Sequence, residues 1–507
     1  GRRCNSRKVV WVKAHRGFKS HRHRHFVEIL KRIHSGNIYP MSKHLRVAII
    51  GAGPAGIYAG NILATKYPDV DIDLFDSLPA PYGLIRYGVA PDHPRIKGIV
   101  NSLHEMLDGG HIRFYGNVEF GKDLKLNDIK EHYHAVIFAT GAIKDAELNI
   151  PGVELEGSYG AADFVAWYDG HPDYPRTWPL NAKQVAVLGN GNVALDVARV
   201  LAKHADDMLS TDIPANVYAG LKESPVTDVH VFGRRGPAQI KFTPIELREL
   251  GEIEDVDIVL YEEDFPEGWF NEEAEGVTNQ HRVMTRIIDG WREEQNERAA
   301  AVAAGTATAA SRRLHLHFFS SPVEITDGGT GSGRVGSIKF ERTALNEDGA
   351  SVHGTGQFVE YPVQAVYRAI GYFGSELPEV PFNEKYGVIR NEGGRVTNTD
   401  GTQVPALYAT GWIKRGPVGL IGHTKSDATE TIENLLTDID KLADPATPDS
   451  EALLKKLSER GVKYTNWSGW QKLNAHEIAL GAADISHVER ERVKVVDRDE
   501  QVLIAKA

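Results

Sequence analysis

Two short glycine-rich stretches carry the strongest chemical signal in this chain. Gly51-Ala-Gly53-Pro54-Ala55-Gly56 and Gly189-Asn190-Gly191-Asn192-Val193-Ala194 each follow an apolar run and open a helical pattern. In such a turn the first glycine permits the reversal and the second lets a pyrophosphate approach the backbone. The third small residue lets helix and strand pack closely. The phosphates then rest on free N–H groups at the helix start. Pro54 suits the first helical turn, where a missing N–H costs nothing. The two turns differ in the end of the next strand. The strand after the first ends in Asp76, whose carboxylate can accept hydrogen bonds from adenosine ribose hydroxyls. The strand after the second ends in Gly233-Arg234-Arg235, with no acid. Two cations at that place point to a 2′-phosphate, hence to NADP rather than NAD.

The elements that must hold these turns are legible around them. "LRVAII" from Leu45 reads as a buried parallel strand, "PAGIYAGNILATKY" as a helix and "DVDIDLFD" as the next strand. That is one βαβ unit within about 30 residues. Gly60 lies one turn beyond Gly56, so the helix can press on the sheet. "KQVAVLGNGNVALDVARVLAKH" opens a second unit whose partner strand is "DVHVFGRR". The fingerprints begin 138 residues apart, at Gly51 and Gly189, which fits two whole nucleotide-binding domains. Residues 204–226 read as an insertion between helix and strand. "HAVIFATG" and "PALYATG" contain further strands, and the Ala-rich residues 296–313 an exposed helix and loop. "DGGTGSG" from Asp327 is a turn within a β region. The last 60 residues read as helix, then a final strand near "KVVD".

Composition narrows the chemistry. The chain has 507 residues and one cysteine, Cys4. A redox disulfide and a cysteine-ligated metal or cluster within the chain are thereby excluded, so a bound organic cofactor must carry any redox step. Residues 1–40 hold eleven Lys or Arg, five His and one acid, Glu28, while the whole chain carries −11. The body is therefore net acidic, which argues against nucleic-acid binding. The longest nearly apolar stretch, Val47 to Gly60, is too short to span a bilayer. Residues 1–43 form a basic extension with three readings: sequence upstream of a start at Met41, an organelle transit peptide, or a docking arm. Met41-Ser-Lys-His directly before a strand favours the first, and a cytoplasmic location; a transit peptide would instead imply the mitochondrial matrix. The "HRHRH" and "HLHF" histidines lack accompanying acids or cysteines at ligand spacing, so no metal site is expected.

Together, "PYGLIRYGVAPDHPRIK", "GNGNVALDVAR", "GRRGP", "ELREL" and "GWIKRGPVGLIGHTKSDA" resemble the adrenodoxin-reductase type of ferredoxin–NADP(+) reductase across most of residues 44–480. The resemblance implies an α/β fold of two Rossmann-like three-layer domains. An FAD domain would comprise 44–145 and 373–507, with an NADP domain, 146–372, inserted into it. It implies hydride transfer from NADPH to FAD, then single-electron transfer to a ferredoxin-like iron–sulfur partner. Gly51, Gly53, Pro54, Ala55, Gly56 and Asp76 would hold FAD, with Leu84, Val118, Trp412, Gly419, Leu420 and Ile421. Asp76 stands where the family usually has Glu. Asn190, Gly191, Asn192, Val193, Arg234, Arg235, Glu246 and again Gly419 would hold NADP. Ala146 replaces an Arg that relatives often use for NADP, with Lys144 as a substitute. His93 and Glu249, from different domains, would lie near the nicotinamide as a proton relay.

Plainer readings compete at several positions. Thr243-Pro-Ile-Glu246 is a capping box, so Glu246 has a purely structural role open to it. Glu249 could be a solvated helix charge, and His93 a loop histidine. From the residues alone the electron acceptor stays open between an iron–sulfur protein, a small molecule and a quinone. A nucleotide-binding sensor without turnover is the rival class; the intact "GWIKRGPVGLIG" segment argues against it.

Overall fold

The computed structural model describes residues 43–273, 277–417, 421–484 and 488–506, with only the backbone of Ile421. Residues 1–42 of the basic extension, on which its three readings rest, lie outside the described residues, as do Gly419 and Leu420.

Strand β1 (Leu45–Ile50) is buried along its whole length. Its alternate residues enter two different cores, as a central parallel strand requires. Leu45, Val47 and Ile49 join one apolar cluster; Ala48 and Ile50 join another on the opposite face. Helix α1 (Pro54–Lys66) follows, then β2 (Val70–Phe75), in parallel register Leu45↔Val70 to Ile50↔Phe75. β3 (Arg113–Gly116) and β4 (Ala135–Phe138) extend this sheet. The chain then leaves along β5 (Lys144–Asp145).

The second region runs β6 (Ser158–Gly160), α2 (Ala161–Tyr168), β7 (Gln184–Leu188), α3 (Asn192–Ala202), β8 (Asp228–Phe232), α4 (Pro244–Gly251), β9 (Val256–Leu260), α5 (Asn279–Ala303) and β10 (Arg312–His317). A meander comes next: β11 (Ser320–Thr326), β12 (Ser337–Leu345) and β13 (Val352–Pro362), before β14 (Ala365–Arg368) rejoins the sheet. The chain returns on β15 (Tyr372–Phe373), antiparallel to β5, so both crossings run side by side. β16 (Phe382–Asn383) and β17 (Val388–Ile389) form a small ribbon. β18 (Asn391–Glu392), β19 (Arg395–Thr397), β20 (Gln403–Ala409) and, after helix α6 (Ile421–Thr437), β21 (Thr465–Asn466) complete the first sheet.

The strand orders are β18-β19-β20-β4-β1-β2-β3-β21 and β6-β14-β7-β8-β10-β9. The fold is thus two Rossmann-like domains, the second inserted into the first. In the first, α1 and α6 share a core through Ile57, Leu63, Ala428 and Ile432. In the second, α3 covers one face, but the other is covered by the meander: Ala186, Leu188 and Phe232 pack on Ile338 and Phe340. The expected strands in "HAVIFATG" and "PALYATG" are β4 and β20, hydrogen-bonded neighbours. The "DGGTGSG" turn joins β11 to β12.

One expectation fails. The segment at "KVVD" is not a strand, and a helix, Arg498–Lys506, ends the described chain. Its backbone finds partners other than a sheet edge. Val493 and Val495 N–H donate to the backbone oxygen and the carboxylate of Glu477, and Gln501 donates to the Val495 carbonyl. With those groups satisfied, an apolar β-type run has no need of a ladder.

Candidate functional site

The first fingerprint folds as a turn that only glycine tolerates. Gly51 has φ +111°, and a Cβ there would lie 2.4 Å from the Ala139 oxygen; one on Gly56 would lie 2.0 Å from the Gly51 oxygen. Gly53 differs. A Cβ on it would meet nothing nearer than the Cα of Gly83, at 3.9 Å. The space over Gly53 is a cradle that the described residues leave clear, bordered by Gly83; Leu84, next in the chain, opens the short helix Leu84–Tyr87. Asp76 directly follows β2 and turns its carboxylate into the loop, taking N–H bonds from Ala52 (2.6 Å) and Leu78 (2.8 Å). Burial pushes its pKa up to about 6 against those bonds. Val118 is buried and donates its N–H to the Asp76 carbonyl. Ala55 touches the far end of the chain: a Cβ on Gly411 (φ +75°) would lie 2.6 Å from the Ala55 Cβ. The half-buried Trp412 therefore starts its helix against the fingerprint. Asp427 holds that turn by accepting from the Gly411 N–H, and Lys414 is buried between Asp427 (2.7 Å) and Glu430 (2.6 Å).

The second fingerprint repeats the geometry. Gly189 has φ +152°, and a Cβ there would be 2.3 Å from the Ala369 oxygen; one on Gly191 would meet nothing within 4 Å among the described residues. Ala194, in the first turn of α3, is fully buried. Among the described residues Asn192 Oδ1, shielded from water, has no hydrogen-bond partner. Such an orphan favours a ligand with a donor. Val193 lies half-buried beside it, and Asn190 packs against Gly233. Arg234 is exposed, Arg235 half-buried, and neither guanidinium hydrogen-bonds or ion-pairs with the described residues. Cations left unpaired beside a backbone cradle fit a phosphate. Glu246 caps α4: its Oε2 accepts from the Thr243 N–H (3.1 Å) and Oγ1 (2.7 Å), and burial raises its pKa. Ala146 leaves Lys144, exposed on β5, as the cation nearest in sequence.

His93 and Glu249 do meet. His93 Nδ1 lies 2.9 Å from Glu249 Oε2, and Nε2 lies 2.8 Å from Asp196 Oδ1. Sequence reasoning missed Asp196 and its neighbour Arg199, which is 1% exposed. Arg199 forks onto Asp92 (2.7 and 2.9 Å), which also takes Lys203 (2.8 Å). It further contacts Asp196 (3.0 Å) and His93 Nε2 (2.8 Å). Burial and Arg199 oppose a charge on His93, but Asp196 and Glu249 outweigh them and lift its pKa to about 9. His93 is therefore an imidazolium at neutral pH, clasped between the first region and helices α3 and α4. The polar pair Asp196 and Arg199 inside the apolar run of α3 was the signal available in sequence.

A second ionic cluster, also unforeseen, lies across the same boundary. Lys97 contacts Asp169 (3.2 Å) and Asp212 (3.0 Å); Lys494 reaches Asp212 (3.0 Å) and the Arg86 carbonyl (2.9 Å). Burial pushes Asp169 up to about 6 and Lys494 down to about 8. The "HLHF" histidines His315 and His317 join His230 in a buried group whose ring nitrogens lie within 4.8 Å of one another. The rings stack nearly parallel, at 13–25°, so their lone pairs do not converge on one ion. Gln184 takes His230 Nε2, Asp228 and Tyr261 take the two nitrogens of His315, and His317 Nε2 lies 3.0 Å from His230 Nδ1.

Two dinucleotide cradles, one acid-ended and one arginine-ended, define a two-nucleotide oxidoreductase of the pyridine-nucleotide type. Residues 45–217 match the family model described as pyridine nucleotide-disulphide oxidoreductase. The chain is 36% identical to the mitochondrial NADPH:adrenodoxin oxidoreductase of Arabidopsis thaliana, over 87% of its own length and 92% of that protein's. It is 36% identical to the NADPH-ferredoxin reductase FprA of Mycobacterium tuberculosis (86% and 94%) and 35% to the human mitochondrial enzyme (90% and 91%). The solved structure of M. tuberculosis FprA in complex with NADPH superposes with TM-score 0.81 at 34% identity, covering 92% of this chain and all of that one. The chain belongs to the adrenodoxin-reductase family of NADPH–ferredoxin reductases.

Proposed function

We propose that this protein is an FAD-dependent reductase that takes a hydride from NADPH and passes electrons singly to a ferredoxin-type iron–sulfur protein. The observation that carries the reading is the pair of cradles in one chain, the first pressed against the Gly411-Trp412 turn and the second ended by two arginines that are unpaired among the described residues. FAD supplies the conversion of a two-electron donor into single electrons. The FAD domain is proposed as 44–145 and 373–507, the NADP domain as 146–372. Gly51, Gly53, Pro54, Ala55, Gly56, Asp76, Leu84, Val118, Trp412, Gly419, Leu420 and Ile421 are assigned to FAD. Asn190, Gly191, Asn192, Val193, Arg234, Arg235, Glu246 and Gly419 are assigned to NADP. The clear space over Gly53 and the orphan Asn192 Oδ1 support those assignments.

His93 is assigned the role of holding a proton at Nδ1 and Nε2, with Glu249 and Asp196 as its counter-charges. With Cys4 the sole cysteine, no disulfide within the chain can serve as relay. No described helix is long and apolar enough to cross a membrane. A cytoplasmic location is proposed, with the mitochondrial matrix as the alternative, since two of the similar proteins are named as mitochondrial. The test is anaerobic: purified yellow protein carrying one FAD should be bleached by NADPH far faster than by NADH, and should then reduce a ferredoxin. Protein that binds no flavin, or flavin that NADPH does not bleach, overturns the reading.

A further inference from the structure

Arg234 and Arg235 sit on a turn, and nothing holds their side chains among the described residues. Their orientation must come from the backbone, and its restraints all come from the β10–β12 segments. Three successive carbonyls are taken: Gly233 O accepts from the Ser320 N–H (2.9 Å), Arg234 O from the Thr343 hydroxyl (2.7 Å) and Arg235 O from the Phe319 N–H (3.1 Å). Gly233 in turn donates to the His317 carbonyl (2.9 Å). Phe319 holds φ +50°, a costly backbone state for a bulky residue. Its ring fills the place where a side chain on Gly236 would go, since a Cβ there would lie 2.4 Å from Phe319 Cζ. Arg342 braces the same bend, donating to the Phe318 carbonyl (2.9 Å) while paired with Asp264 (2.6 Å).

The consequence is electrostatic. Carbonyl oxygens repel a phosphate; turned away and satisfied, they leave guanidinium groups and N–H dipoles facing it. Of the three restraints, two are backbone bonds available to any sequence. Only the bond to Arg234 depends on a side chain, that of Thr343, 109 residues away on β12 and 8% exposed.

We propose that Thr343 is a specificity-positioning residue: from the meander it fixes the Arg234–Arg235 turn and so sets the preference for a 2′-phosphorylated coenzyme. This rests on the reading of those arginines as the 2′-phosphate contact. Thr343→Val keeps the shape and removes the donor, leaving the Arg234 carbonyl unsatisfied; Thr343→Ser keeps the donor. A lost neutral hydrogen bond corresponds to roughly a three- to tenfold change. Thr343→Val should therefore lower kcat/KM for NADPH by that factor through KM, and weaken binding of adenosine 2′,5′-bisphosphate equally. Use of NADH, binding of 5′-ADP, and FAD content should be unchanged, and Thr343→Ser should restore wild-type values. Thr343→Ala serves if the valine variant folds poorly. Equal losses for NADPH and NADH, a serine variant as impaired as the valine, or no change overturns the brace. Arg234→Ala and Arg235→Ala separate the two readings. If they leave the NADPH preference intact the underlying assignment fails; if they erode it while Thr343→Val does not, only the brace fails.

Discussion

Glu249→Gln isolates the His93 clasp. The substitution keeps the shape of the side chain and removes one negative charge at 2.9 Å from Nδ1. His93 stands at about 9 against 6.5 in an unfolded chain. That elevation of about 2.5 units corresponds to roughly 3.4 kcal/mol favouring the imidazolium. Two carboxylates supply it, and Glu249 is the more exposed, 30% against 13% for Asp196, so solvent weakens its share. Its removal should lower the His93 pKa by about one unit and stability by about 1.4 kcal/mol. The sign comes from linkage. A raised pKa contributes stability that is complete below pH 6.5 and disappears as pH climbs through 9. The stability deficit of Glu249→Gln should therefore be largest near pH 6 and vanish by pH 10 in urea titrations. If His93 must be protonated for turnover, the alkaline limb of kcat should move from near pH 9 to near pH 8. Superimposable rate profiles together with a pH-independent stability difference would refute the clasp, and leave Glu249 a solvated helix charge.

Replacing both Arg234 and Arg235 by Ala should reduce the NADPH-over-NADH ratio of kcat/KM by about 100-fold, at roughly 1–3 kcal/mol for each charge-assisted contact; an unchanged ratio rejects the clamp. Gly53→Ala should leave the fold intact, because among the described residues its Cβ would meet only the Gly83 Cα, at an ordinary 3.9 Å, yet weaken FAD on the order of tenfold. Retained flavin affinity in that variant would place the pyrophosphate elsewhere. Burial holds His230 down at about 3, so its neutral form must be protonated when the chain unfolds in acid. Native stability should fall below pH 6.5, by about 2 kcal/mol at pH 5 from this residue alone, and His230→Gln should flatten that slope. Lys494→Met leaves Asp169 and Asp212 short of a buried cation and should cost about 3–5 kcal/mol, read by chemical denaturation.

Local chemistry made the two nucleotide cradles readable without coordinates. Glycine at positions 51, 56 and 189 is demanded by a positive φ or a close backbone approach, which any chain folding this way must meet at the same residue. The strand ends at Asp76 and Arg234 follow from period and spacing alone, and a capping box such as Thr243 to Glu246 is complete within four residues. The final strand at "KVVD" failed for the converse reason: β propensity was right, but Glu477 and Gln501 had already satisfied the backbone. Long-range charge pairing was invisible. Asp92 and Arg199 are 107 residues apart, Lys97 and Asp212 115, and Lys494 and Asp169 325. Each looks like an ordinary surface charge until the tertiary fold buries it, and only burial turns such a group into a determinant of domain contact and of the His93 pKa. Thr343 belongs with these. Its hydroxyl has no significance in β12, and acquires one where the meander packs against the turn that carries Arg234.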